Sequence, residues 1–106
     1  MSLIDENAVV LARMSEQGDD LSQPRTVDFS FLFATQVSAA KFVSEAEAAG
    51  FTATYEGSYY AERPWDVTAA KLMVPTAVAV TDAELALSQL ARPLGGQADG
   101  WGCISA

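Results

Sequence analysis

The stretch TVDFSFLFAT, residues 26–35, constrains this chain more than any other. Val27, Phe29, Phe31 and Phe33 alternate with Asp28, Ser30, Leu32 and Ala34, and a two-residue period puts the first set on one face of a β-strand. A strand that apolar on one side needs a covering layer, so the neighbouring segments must supply helices or a second sheet.

They supply helices. Residues 36–49 carry Ala39, Phe42, Val43, Ala46 and Ala49 at helical spacing, with Thr35 as N-cap and Gly50 as terminator. FTATYE, 51–56, alternates again and is followed by GSYYAERP, a turn, and WDVTAAKLMV, 65–74, so these two strands form a hairpin. Residues 75–94 are ambiguous: Val78–Leu85 and Val80–Leu87–Leu94 are seven apart as on a helix, yet TAVAV alone would also extend the strand. The reading taken is a helix from about residue 76, because Pro75 fits a first helical turn and twenty further strand residues would be unusual. An alternative start is Thr81, which forms a capping box with Glu84. QADGWGCISA, 97–106, is then a terminal strand.

Before all this, residues 3–17 place Ile4, Ala8, Leu11 and Ala12 on one stripe, with Leu3, Val10 and Met14 beside it, and Gly18 where a helix stops. GDDLSQPR, 18–25, is a connector. The whole, read as one domain over 1–106, is an α+β chain: an N-terminal helix, then a ferredoxin-like βαββαβ sandwich, a four-stranded antiparallel sheet with two helices on one face. Phe29, Phe31 and Phe33 are expected to face those helices.

The same order occurs in RNA-recognition modules, which stack bases on aromatics of the exposed sheet face. Here AAKLMV offers no partner aromatic on the third strand, so the phenylalanines read as core. Fourteen Asp and Glu against six Lys and Arg, a net charge of −8, also oppose direct nucleic-acid binding, which rests on clustered cations displacing counterions.

With no histidine and one cysteine, no common zinc set can be assembled, and no serine, threonine or cysteine has an imidazole to activate it. The glycines form neither a P-loop nor a dinucleotide fingerprint. Glu45 and Glu47 point about 200° apart on a helix and read as a solvated face rather than an acid–base pair. No catalytic residue, metal or cofactor is expected. MSLIDENAVV lacks the regions of a signal peptide, and no apolar run approaches the ~20 residues that span a bilayer, so the expected setting is cytoplasmic, without membrane attachment. Cys103-Ile104-Ser105-Ala106 has the outline of a prenylation box, but serine holds its third position and no basic stretch precedes it; it reads as strand.

The ordered set GDDLSQPRTVDFSFLF, an alanine-rich helix ending in AAGF, KLMVP and LGGQADGWGC resembles the regulator of ribonuclease E activity B family, the RraB-like domains, over about residues 1–103. The resemblance implies a non-enzymatic bacterial domain that binds a ribonuclease E-type endoribonuclease and lowers its activity by protein–protein contact. The arginine-rich RNA-binding regions of such a partner would complement an acidic chain. The contact residues it points to are Asp19, Asp20, Arg25, Asp28, Trp65, Asp99 and Trp101, which sit in the segments carrying the likeness. A competing reading is a small-molecule-binding regulatory domain that holds a metabolite at a helix–strand junction, favoured by a pocket lined by Tyr59, Trp65 and Trp101. Monomer and homodimer both remain open.

Overall fold

A computed structural model describes residues 2–18, 21–57 and 64–103. Among them the elements are α1 (Leu3–Glu16), β1 (Arg25–Phe33), α2 (Gln36–Ala48), β2 (Thr52–Gly57), β3 (Trp65–Met73), α3 (Ala77–Ala91), a 3-10 turn (Arg92–Leu94) and β4 (Gln97–Cys103). No helix of the described residues is long and apolar enough to cross a membrane.

Each helix starts at a hydroxyl. Ser2, Thr35 and Thr76 accept from the backbone N–H groups of Asp5, Ser38 and Ala79, satisfying donors that the first helical turn leaves without partners. The start of α3 thus falls at Thr76, not at Thr81, whose hydroxyl is engaged elsewhere. Pro75, buried, lies before the cap rather than inside the first turn.

The strands form one antiparallel four-stranded sheet in the order β2-β3-β1-β4. β1 is central, opposite β3 from Arg25↔Met73 to Phe33↔Trp65, and opposite β4 on its other side. β2 and β3 pair as the expected hairpin, whose turn, 58–63, lies outside the described residues.

Val27, Phe29, Phe31 and Phe33 are all buried under the helices, as the alternation requires. The Phe42 ring of α2 lies 5.1 Å from Phe31 and 5.0 Å from Phe33, and Phe51 meets Phe29 edge-on at 6.3 Å. Val67 and Ala69 of β3, Ala39 and Ala46 of α2, and Val80, Leu87 and Ala91 of α3 complete the core. Each large side chain removed from water there contributes roughly 1.5–3 kcal/mol before entropy is counted. Gly96 permits the tight return into β4: a Cβ there would stand 2.5 Å from Phe33 Cε1 and 2.9 Å from the Ala91 methyl.

Two helical stripes differ from their sequence expectation. In α1 the inward line is Leu3, Asn7, Leu11 and Met14, whereas Ile4, Ala8, Val10 and Ala12 face outward. Asn7 faces inward because its amide meets Thr81, Glu84 and Trp101 there. In α3 Val80 and Leu87 are buried, while Val78 and Leu85, the other pair seven apart, stay 57% and 46% exposed.

Candidate functional site: the open sheet face

Because neighbouring side chains on a strand point to opposite sides, the register that puts the phenylalanines under the helices fixes the other face as well. That face carries Thr26, Asp28, Ser30 and Leu32 of β1, then Asp66, Thr68, Ala70 and Leu72 of β3, then Thr52, Thr54 and Glu56 of β2. Read across the strands, one row runs Glu56–Asp66–Leu32–Gln97, and another runs Thr52–Ala70–Asp28–Gly102.

β4 adds a further carboxylate by a local irregularity. Phe29 opposes Trp101 and Phe31 opposes Ala98, so one more residue lies on β4 than on β1 between these pairs. This is a bulge, and Gly100, at φ 101°, occupies the left-handed conformation that it needs. The insertion leaves Asp99 exposed and close enough to Asp66 for their charges to interact.

Burial raises the Asp66 carboxyl above the usual aspartate range, and the Asp99 and then the Glu56 charges push it the same way. Its Oδ1 is enclosed and, among the described residues, accepts no hydrogen bond. Like charges directly opposite, as Glu56 and Asp66 are, destabilise a sheet pair rather than support it. None of the described strand positions on this face is a lysine, an arginine or an aromatic residue. Beside the apolar Leu32, Ala70 and exposed Leu72 it offers hydroxyls and carboxylates, a surface suited to cationic groups and lacking the stacking platform of an RNA-binding sheet.

The residues singled out from sequence divide between the two faces. Asp28 and Asp99 lie on the open face, joined there by Glu56 and Asp66, which sequence reasoning missed. The signal for the latter pair was present, since both hold the polar parity of strands whose alternate positions are apolar. Trp65 lies on the helix side against the core, its ring 6.0 Å from that of Tyr55. Arg25 opens β1 opposite Met73 and is buried. Trp101 packs against the core, and its indole N–H donates to Asn7 Oδ1 at 2.9 Å. Asp19 and Asp20 lie outside the described residues. Among the described residues no group of three or more potential ligating side chains could hold a metal ion.

The structure is thus of the α+β class, with one face of a four-stranded antiparallel sheet covered by helices and the other presenting carboxylates. Over residues 4–103 the chain matches the family model described as regulator of ribonuclease activity B, and it belongs to that family. Among curated proteins no match was found.

Proposed function

We propose that this protein regulates a ribonuclease E-type endoribonuclease by direct contact, docking a basic segment of the enzyme on the open sheet face and slowing RNA cleavage without performing chemistry itself. The observation that carries this reading is the grouping of Asp28, Glu56, Asp66 and Asp99 on a face with no cationic strand position among the described residues, in a chain of the ribonuclease-regulator family. A positively charged guest would relieve the repulsion around Asp66, so binding recovers energy that the free protein holds as like-charge crowding. The strand order β2-β3-β1-β4, with strands and helices alternating as they do from β1 onward, supports the ferredoxin-like reading of the fold. The partner is a protein rather than RNA in this reading, and the setting is the bacterial cytoplasm, where that enzyme class works.

The test is cleavage of a defined RNA by a ribonuclease E-type enzyme with and without excess of this protein, paired with sizing chromatography at low salt. Slower cleavage and a co-eluting complex are expected. Equal rates with no complex overturn the proposal.

A further inference from the structure

On the helix side of the sheet, remote from the carboxylate rows, a cleft of about 300 Å³ opens between α3 and the end of α2. Its floor is Phe51 and Met73, and its α3 wall is Ala79, Ala83 and Ala86. These positions fall at i, i+4 and i+7, one stripe of the helix. Elsewhere α3 carries Leu85, Leu87 and Leu90, so the gap exists because this stripe is alanine throughout, and Ala49 continues it at the end of α2. Among the described residues the space over the ring and the thioether is lined by these alanines and by the side chains of Lys71 and Asp82.

The polar groups at the cleft are of opposite sign and come from different elements. Lys71 of β3 holds its ammonium 5.2 Å from the Phe51 ring centroid, over the floor, and Asp82 projects from the α3 wall. The volume stands at the lower end of the range for ligand sites, about 300–1,000 Å³, which selects a small guest. Apolar walls with a single cation and a single anion do not suit a phosphate, which Asp82 would repel, or a sugar, which needs several hydrogen-bonding partners. They match a small zwitterion with an apolar body.

We propose that this cleft is a binding site for a free apolar α-amino acid of the leucine, methionine or phenylalanine type, its carboxylate on Lys71, its ammonium on Asp82 and its side chain on Phe51 and Met73. The site is independent of the ribonuclease reading and lies on the opposite side of the sheet from it.

The experiment is an amide-resolved NMR titration of the whole protein with L-leucine and L-methionine. The comparison arms are 3-methylbutylamine and 4-methylpentanoic acid, which keep the apolar body and lose one charge each. Saturable shifts confined to Phe51, Met73, Ala83 and their neighbours are expected, with the amino acids at least about tenfold tighter than either arm. Lys71→Gln and Asp82→Asn, both at exposed positions, should each weaken binding about fivefold with unchanged melting. Ala86→Leu should abolish it by filling the cleft. No saturable shift up to the ligands' solubility limit, shifts centred elsewhere, or binding of the amine or the acid as tight as that of the amino acids overturns the proposal.

Discussion

The indole Nε1 of Trp101 donates a 2.9 Å hydrogen bond to Oδ1 of Asn7, tying the last described strand to the first helix across 94 residues of chain. The same amide uses its Nδ2 to reach Thr81 Oγ1 at 2.9 Å and Glu84 Oε1 at 3.2 Å, so one buried side chain joins α1, α3 and β4. Asn7→Ala leaves the indole N–H and the buried Thr81 hydroxyl without this partner, which should lower stability by about 1–3 kcal/mol. Urea unfolding measures the loss, and hydrogen exchange should locate it first in α1, whose main packing partner is α3. An unchanged unfolding midpoint would show that the node is dispensable.

Phe31→Ala should destabilise by about 3–5 kcal/mol, because the ring is buried between the sheet and Phe42 and its removal leaves a cavity under α2. Val37→Ala on the same helical layer, 79% exposed, should stay within about 0.5 kcal/mol of the parent. The two midpoints, compared in one denaturant series, separate core loss from surface change.

Asp66 makes stability depend on pH in a definite sense. Its carboxyl is raised in the folded chain by burial and by the Asp99 and Glu56 charges, so the fold prefers it protonated. That contribution is complete below the ordinary carboxylate value of about 3.9 and is lost as pH climbs through the raised value. At neutral pH Asp66→Asn should therefore stabilise the protein, by up to about 1 kcal/mol for a partly exposed group in screening solvent. The advantage should shrink on acidification and vanish below the unfolded value; melting temperatures of both proteins across pH 3–8 provide the check.

Gly96 and Gly100 resist alanine for different reasons. Gly96→Ala drives a methyl into the Phe33 ring and should lose about 1–3 kcal/mol by overpacking. Gly100→Ala meets open space but a positive φ, and should lose about 1 kcal/mol through backbone strain in the bulge. A larger chain at 96, such as valine, should worsen the first defect, whereas Gly100→Asn should soften the second, since asparagine tolerates the left-handed region.

Docking on the open face should depend on salt and charge together. Asp28→Asn combined with Asp99→Asn should weaken capture of a ribonuclease E-type enzyme by up to about thirtyfold, since exposed ion pairs contribute ~0–1 kcal/mol each. Melting should barely move. Trp65→Phe, on the helix side, should leave capture unchanged. The reverse pattern in a binding titration would move the interface to the helix side.

Alternation in TVDFSFLF, the hydroxyl at Thr35 and the spacing of Val80, Leu87 and Leu94 make the strands and the two sheet-covering helices legible, because burial on one face imposes its period directly on the residues. The facing of α1 was not legible. An asparagine counts as polar in any periodicity argument, and only the coming together of Thr81, Glu84 and Trp101 from distant segments makes it an inward residue. The open face was half legible: Asp28 and Asp99 stand in conspicuous motifs, whereas Glu56 and Asp66 acquire meaning only when β2 and β3 are set in register. Trp65 and Trp101 are expected as contact residues because they sit in the segments carrying the family likeness, and the structure packs both against the core.

The central position of β1 also governs the order of events during synthesis. β1 pairs on one flank with β3 and on the other with β4, the last of the described strands, so its second flank waits until residues 97–103 have been made. Until β4 arrives from the ribosome, a phenylalanine-rich strand shows a row of unpaired amides and carbonyls along that flank, the kind of surface that recruits foreign strands. The final pairing spans from Val27 to Cys103, a long loop to close, and such non-local contacts form slowly. Chains stalled or cut short of Gln97 should therefore be the aggregation-prone species of this protein, and its yield in a cell should follow the speed at which that last strand is delivered.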